Sequence, residues 1–125
     1  MKHVRHGRGA VRPYLHAPWS VVEFLKTSLG ARELERHPFS PESAHVELAI
    51  QDSIVVIEAG PLPPEHPGWT GSIYVYVPDV DAVWADAMRA GMTPVAEPAD
   101  KPYGERQAGF RDPMGNTWWV ATLTD

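Results

Sequence analysis

A chain of 125 residues and 13.9 kDa has room for one compact domain and not for two independent ones. Its 43% hydrophobic and 22% charged residues are those of a globular chain, which argues against wholesale disorder. A net charge of −5 with 11 scattered Lys and Arg argues against a nucleic-acid binder, and no apolar run approaches the length of a bilayer span. The absence of cysteine excludes disulfides, thiolate metal sites and cysteine nucleophiles. No apolar signal core follows the basic N-terminus, so a cytoplasmic location is expected.

Residues 1–10 combine two glycines with five Lys, Arg or His and read as a flexible tail. Val11 to Ala17 reads as extended, because Pro13 disfavours helix in the residue before it and the pattern alternates. Ser20-Val-Val-Glu23 spells a capping box, the apolar Val21, Val22, Phe24, Leu25 and Leu29 fit one helical face, and Gly30 supplies a stop. Ala31 to Phe39 follows as an amphipathic strand. Ala44 to Ile50 alternates cleanly, and Ile54 to Ala59 is an apolar strand carrying a single carboxylate, Glu58. The first half therefore reads β-α-β-β-β.

Gly60 to Gly71 holds four prolines and three glycines, together with His66, and reads as a connection. Ser72 to Val77 is the next strand. Asp79 or Asp81 can cap a helix whose buried face is Val80, Val83, Trp84, Ala87 and Met88, and Gly91 stops it. A short strand near Met92 to Ala96, a Pro-rich loop to Tyr103-Gly104, a strand from Glu105 to Phe110, the turn Asp112-Pro-Met-Gly115 and a strand from Thr117 to Leu123 complete the chain. Gly30 and Gly91 occupy equivalent places in the two halves. The chain is thus a duplicated βαβββ unit, with modules over 11–60 and 71–124 of a single α+β domain spanning 11–125.

In that order the residues resemble the vicinal oxygen chelate superfamily of glyoxalase, bleomycin resistance proteins and extradiol dioxygenases, nearest to its PhnB-like branch. The likeness is carried by Pro13-Tyr-Leu15, Phe24-Leu25, Leu29-Gly-Ala31, His45-Val-Glu-Leu48, Tyr74-Val-Tyr-Val77 with Asp79-Val-Asp81, and Ala90-Gly91. It is strongest at the end, in Tyr103-Gly-Glu-Arg106, Asp112-Pro-Met-Gly115 and Trp118-Trp-Val-Ala-Thr122. The resemblance implies two βαβββ modules forming a curved mixed sheet whose cup carries the site. It also implies a divalent metal held by His, Gln or Glu from the first, fourth, fifth and eighth strands. Here the fourth-strand position falls on Glu58, but the fifth falls on Ser72 and the eighth on Trp119, and the first lies near Val11 or Arg12. One carboxylate does not make a site that needs about three or four protein ligands, so no metal and no cofactor is expected.

The remaining candidates divide between function and architecture. Glu58 is either a carboxylate inside the cup, available as a catalytic acid or base, or a strand end emerging into solvent. His45 and Glu47 share a strand face and could form a polar pair, half a metal site or an exposed face. Arg106, beside Tyr103, could clamp an anion or fix geometry by pairing with Asp112. Tyr74 and Tyr76 alternate from Ser72 and should share a face with Trp119, joined by Tyr14. That outlines an aromatic-lined pocket for a small, planar or aromatic organic ligand. The expectation is therefore a homodimeric, metal-independent small-molecule binder, with a divalent-metal-dependent lyase, isomerase or dioxygenase as the rival.

Overall fold

A computed structural model describes residues 2–62, 64 and 69–124 of the chain; His66 and part of the expected connection lie outside the described residues. The chain divides into two compact units, residues 1–70 and 71–125, each built around a four-stranded mixed sheet. In the first unit β1 (Tyr14–Ala17), α1 (Trp19–Ser28), β2 (Arg32–Ser40), β3 (Ser43–Ile50) and β4 (Ser53–Ala59) give the sheet order β1-β4-β3-β2. In the second, β5 (Ser72–Tyr76), α2 (Val80–Arg89), β6 (Thr93–Lys101), β7 (Glu105–Arg111) and β8 (Thr117–Leu123) give β5-β8-β7-β6. β1 runs parallel to β4 and β5 parallel to β8, and every other pairing is antiparallel. The duplication expected from the glycine spacing is therefore a duplication of topology.

In the first unit the buried stripe of α1 (Val21, Val22, Phe24, Leu25) accompanies the alternate strand residues Leu15, Ala17, Val46, Leu48 and Ile57, all buried. Burying each such side chain contributes about 1.5–3 kcal/mol relative to leaving it exposed. In the second unit Val80, Val83 and Ala87 of α2 and the strand residues Ala108, Phe110, Trp118 and Val120 make the equivalent core, while Trp84 and Met88 are half-buried.

Two local expectations need correction. The capping box at Ser20 does not form: Pro18 occupies the N-cap without a side-chain bond, so Ser20 already lies inside α1. By contrast Asp79 caps α2, its Oδ1 accepting from the Ala82 amide at 3.1 Å. β6 is not a short strand followed by a loop but runs nine residues to Lys101 through Pro94 and Pro98. It tolerates both prolines because it is an edge strand whose register with β7 shifts between Pro94 and Ala96 and again between Ala96 and Ala99. Residues 2–10 include a 3-10 turn at Arg5–Gly7, and a Cβ on Gly9 would lie 3.3 Å from the Ile54 side chain.

Candidate functional site

Strand alternation in the first unit sends one set of residues to the helix and leaves the other for chemistry. The β1–β4 pairing sets His16 opposite Glu58, and the β3–β4 pairing sets His45 opposite the same Glu58. Tyr14, one step away on β1, donates its hydroxyl to Glu58 Oε1 at 2.8 Å, and His45 Nδ1 lies 2.9 Å from that same oxygen. His45 Nε2 lies 2.9 Å from Glu47 Oε2, so one imidazole bridges two buried carboxylates. Burial works against charge on His45, but Glu58 and Glu47 outweigh it and raise its pKa above the ordinary imidazole value. Burial likewise opposes charge on Glu47, where His45 and His6 prevail and hold the carboxyl below its usual range. Burial and the Glu58 carboxylate push the Tyr14 phenol up to about 12. The Tyr14 ring also packs on Trp69 at 4.8 Å between centroids, and Trp69 Nε1 donates to the Tyr14 carbonyl at 2.6 Å.

The second unit presents an aromatic face. On β5, Ser72, Tyr74 and Tyr76 alternate to one side, and Tyr74 is directly in register with Trp119 on β8. Trp119 in turn faces Gly109 on β7. A Cβ at Gly109 would lie 2.5 Å from Trp119 Cζ3, so the indole occupies the space a side chain there would need. Two and four residues before Gly109, Gln107 and Glu105 reach the same face. Glu105 accepts from the hydroxyls of both Tyr74 and Tyr76, the latter at 2.5 Å, and Gln107 Nε2 donates to the hydroxyls of Tyr74 (3.0 Å) and Tyr103 (3.2 Å). The bonds to Glu105 raise both tyrosine pKa values, against a lowering contribution from Gln107 at Tyr74, and lower that of Glu105. The rings themselves remain open, with Tyr74 45%, Tyr76 52% and Tyr103 62% exposed.

Of the expected residues, Tyr14, His45, Glu47 and Glu58 thus meet on the first unit, and Ser72, Tyr74, Tyr76, Tyr103 and Trp119 on the second. Arg106 joins neither group. It points from β7 toward α2, where Nε and Nη2 bind the two oxygens of Asp81 at 2.9 and 3.0 Å, and Nη1 reaches Asp100 at 3.2 Å. The expected Arg106–Asp112 pair is therefore corrected as well. Asp112 is buried in the turn before β8, where it accepts from the amides of Met114 and Asn116, from Asn116 Nδ2 and from Trp118 Nε1. Glu105 and Gln107 are additions from the structure, and the sequence signal for them is their spacing from Gly109 on one alternating strand face. A surface cleft of about 410 Å³ lined by Trp19, Arg36, Pro38 and Glu42 shares none of these residues.

This geometry matches a known architecture. A profile of the glyoxalase/bleomycin resistance protein/dioxygenase superfamily matches residues 20–120. The chain belongs to that superfamily. Among solved structures it is similar to TioX from Micromonospora sp. ML1, at 24% identity and a TM-score of 0.67, covering 91% of this chain and 99% of that one. It is similar also to TnmS3, an antibiotic binding protein from Streptomyces sp. CB03234, at 24% identity and a TM-score of 0.63, covering 92% and 97%. A superfamily member from Burkholderia phytofirmans PsJN gives 19% identity and a TM-score of 0.64, covering 88% and 96%. At these identities the likeness is one of fold. No curated protein matches the chain significantly.

The divalent metal implied by the family does not fit the residues at the four expected strands. Ser72 offers only a hydroxyl, Trp119 offers no lone pair and its indole is committed against Gly109, and Glu58 Oε1 already serves Tyr14 and His45.

Proposed function

We propose that this superfamily member, of the PhnB-like branch, binds a small planar or aromatic organic molecule on the Tyr74–Tyr76–Trp119 face of its second module, without the four-strand metal. The observation that carries the reading is the seating of Trp119 on Gly109 beside three tyrosines left 45–62% exposed. Tyr74, Tyr76 and Trp119 line one sheet face, and Gln107 ties Tyr103 to it. Apolar rings left in water on one face are what a flat aromatic ligand would cover, and ring stacking adds about 0.5–1.5 kcal/mol per pair beyond area burial. Glu105 and Gln107 hold the tyrosine hydroxyls, so the rings are oriented before a ligand arrives, which lowers the ordering cost of binding. The antibiotic-binding description of TnmS3, a protein of the same fold, supports sequestration rather than turnover.

The first module has its own polar cluster, in which Tyr14, His45 and Glu47 are that module's ligand-binding groups and Glu58 its acid or base in the rival, catalytic reading. The reading includes a cytoplasmic homodimer, because each four-stranded sheet ends in an edge that a second copy would cover. Light scattering should give twice the 13.9 kDa chain mass, and a monomer at micromolar concentration would count against the dimer. Quenching of tryptophan fluorescence by a panel of planar aromatics and aromatic antibiotics tests the binding itself. Saturable quenching by at least one member is expected, and a panel without a binder would remove the reading's support.

A further inference from the structure

The two glutamates Glu35 on β2 and Glu47 on β3 are directly opposed in the antiparallel register. Like charges facing one another across a strand pair repel, so a cation between them is favoured. The Arg5–Gly7 turn lays His6 over this pair, with His6 in the left-handed region at φ 68°. Its Nε2 lies 2.7 Å from Glu47 Oε1 and 3.2 Å from Glu35 Oε1, and one donor atom from each of the three residues lies within 4.8 Å of the other two. A tetrahedral ion with bonds of about 2.0–2.2 Å sets its ligand atoms about 3.3–3.6 Å apart. The Glu35 separation already approaches that value, and the Glu47 one reaches it by a side-chain adjustment of about half an ångström.

What surrounds the triad also fits an ion. The second oxygen of Glu47 is held by His45 Nε2 at 2.9 Å and that of Glu35 by His37 Nε2 at 2.6 Å. Each candidate ligand carboxylate is thus oriented by a further histidine, the outer arrangement that positions metal-binding carboxylates. Glu47 is only 5% exposed, so its charge is poorly compensated by water. Two arginines compete with an ion: Arg5 Nη1 contacts both Glu35 oxygens at 2.8 and 2.9 Å, and Arg12 Nη1 stands 3.8 Å from Glu47 Oε1. Arg5 is 60% exposed in its side chain and can yield to a divalent ion without leaving a buried charge behind.

We propose that His6, Glu35 and Glu47 form a site for a divalent first-row transition ion of zinc type, with water in the fourth position. One imidazole nitrogen and two carboxylate oxygens are a donor set suited to that class, and three protein ligands leave the site open. The site shares no residue with the family's four-strand position or with the aromatic face. Bound metal would pin the N-terminal turn over the row of polar side chains on the first module.

Titration calorimetry of chelator-stripped full-length protein with zinc chloride at pH 7.5 tests this. The expected result is one zinc per chain with an affinity that falls at least tenfold in His6→Ala and in Glu35→Gln, and is kept in His3→Ala. Circular dichroism confirms that each variant folds; Glu35→Gln is the conservative variant if removing the imidazole disturbs the turn. No zinc binding, binding unaffected by His6→Ala and Glu35→Gln, or binding lost in Glu58→Gln while it survives both would overturn the proposal.

Discussion

Trp119 and Gly109 face one another across β7 and β8, and the indole lies where a Gly109 side chain would be. Gly109 is thus a seat: its missing Cβ lets a large ring settle against the strand. Alanine there should displace the ring, cost about 1–3 kcal/mol of stability as an overpacking change, and weaken binding of planar aromatics several-fold. Near-ultraviolet circular dichroism would report the ring movement. An unchanged tryptophan spectrum and unchanged affinity would show that the seat has no such role.

Asp112 should be worth more to stability than an ordinary turn residue. Its carboxylate accepts from two amides, from Asn116 Nδ2 at 2.9 Å and from Trp118 Nε1 at 3.1 Å, and both side-chain donors are buried. Each buried donor left unpaired costs about 1–3 kcal/mol, so Asp112→Ala should lose at least about 2 kcal/mol and Asp112→Asn less. Chemical denaturation measures both. A loss within about 0.5 kcal/mol for Asp112→Ala, the range of ordinary surface changes, would contradict the assignment.

The Tyr14–Glu58 bond carries a pH signature. The phenol pKa is raised from 10.0 to about 12 by burial and by the neighbouring carboxylate. A raised value means that the protonated phenol is favoured in the folded chain. Its contribution to stability is therefore fully present below pH 10 and is lost as pH rises through about 12. Ultraviolet titration of the parent should show a late-ionising tyrosine that Tyr14→Phe removes. If Tyr14→Phe removes instead a phenol titrating near 10, the bond does not hold in solution.

Much of the fold is legible in the sequence because its signals are local. Alternation in Ala44 to Ile50, the helix stops at Gly30 and Gly91, and the Asp79 cap each act within a few residues. The misreadings arise where distant contacts decide. Pro94 and Pro98 suggest a loop, yet an edge strand with two register shifts accommodates them. Arg106 has carboxylates on several elements to choose from, and only the packing of α2 against β7 selects Asp81. Tyr74 and Tyr76 share a face by strand period, whereas Trp119 joins them in the sequence only through the eighth-strand position that the family resemblance implies. The His6 contacts were not legible, since nothing in the spacing of a basic, glycine-containing N-terminus announces that it folds back onto Glu47, 41 residues later.

The central claim is that the aromatic face of the second module is a ligand site, and calorimetric titration of the parent and of Trp119→Ala with the same planar aromatic ligand tests it most directly. Trp119 is half-buried and packs against Gly109, so its removal also costs stability; Trp119→Phe accompanies it and the folding of both is verified by circular dichroism. The account predicts saturable binding by the parent, at least several-fold weaker binding by folded Trp119→Ala, and an intermediate affinity for Trp119→Phe. Equal affinity in the parent and both folded variants would contradict it.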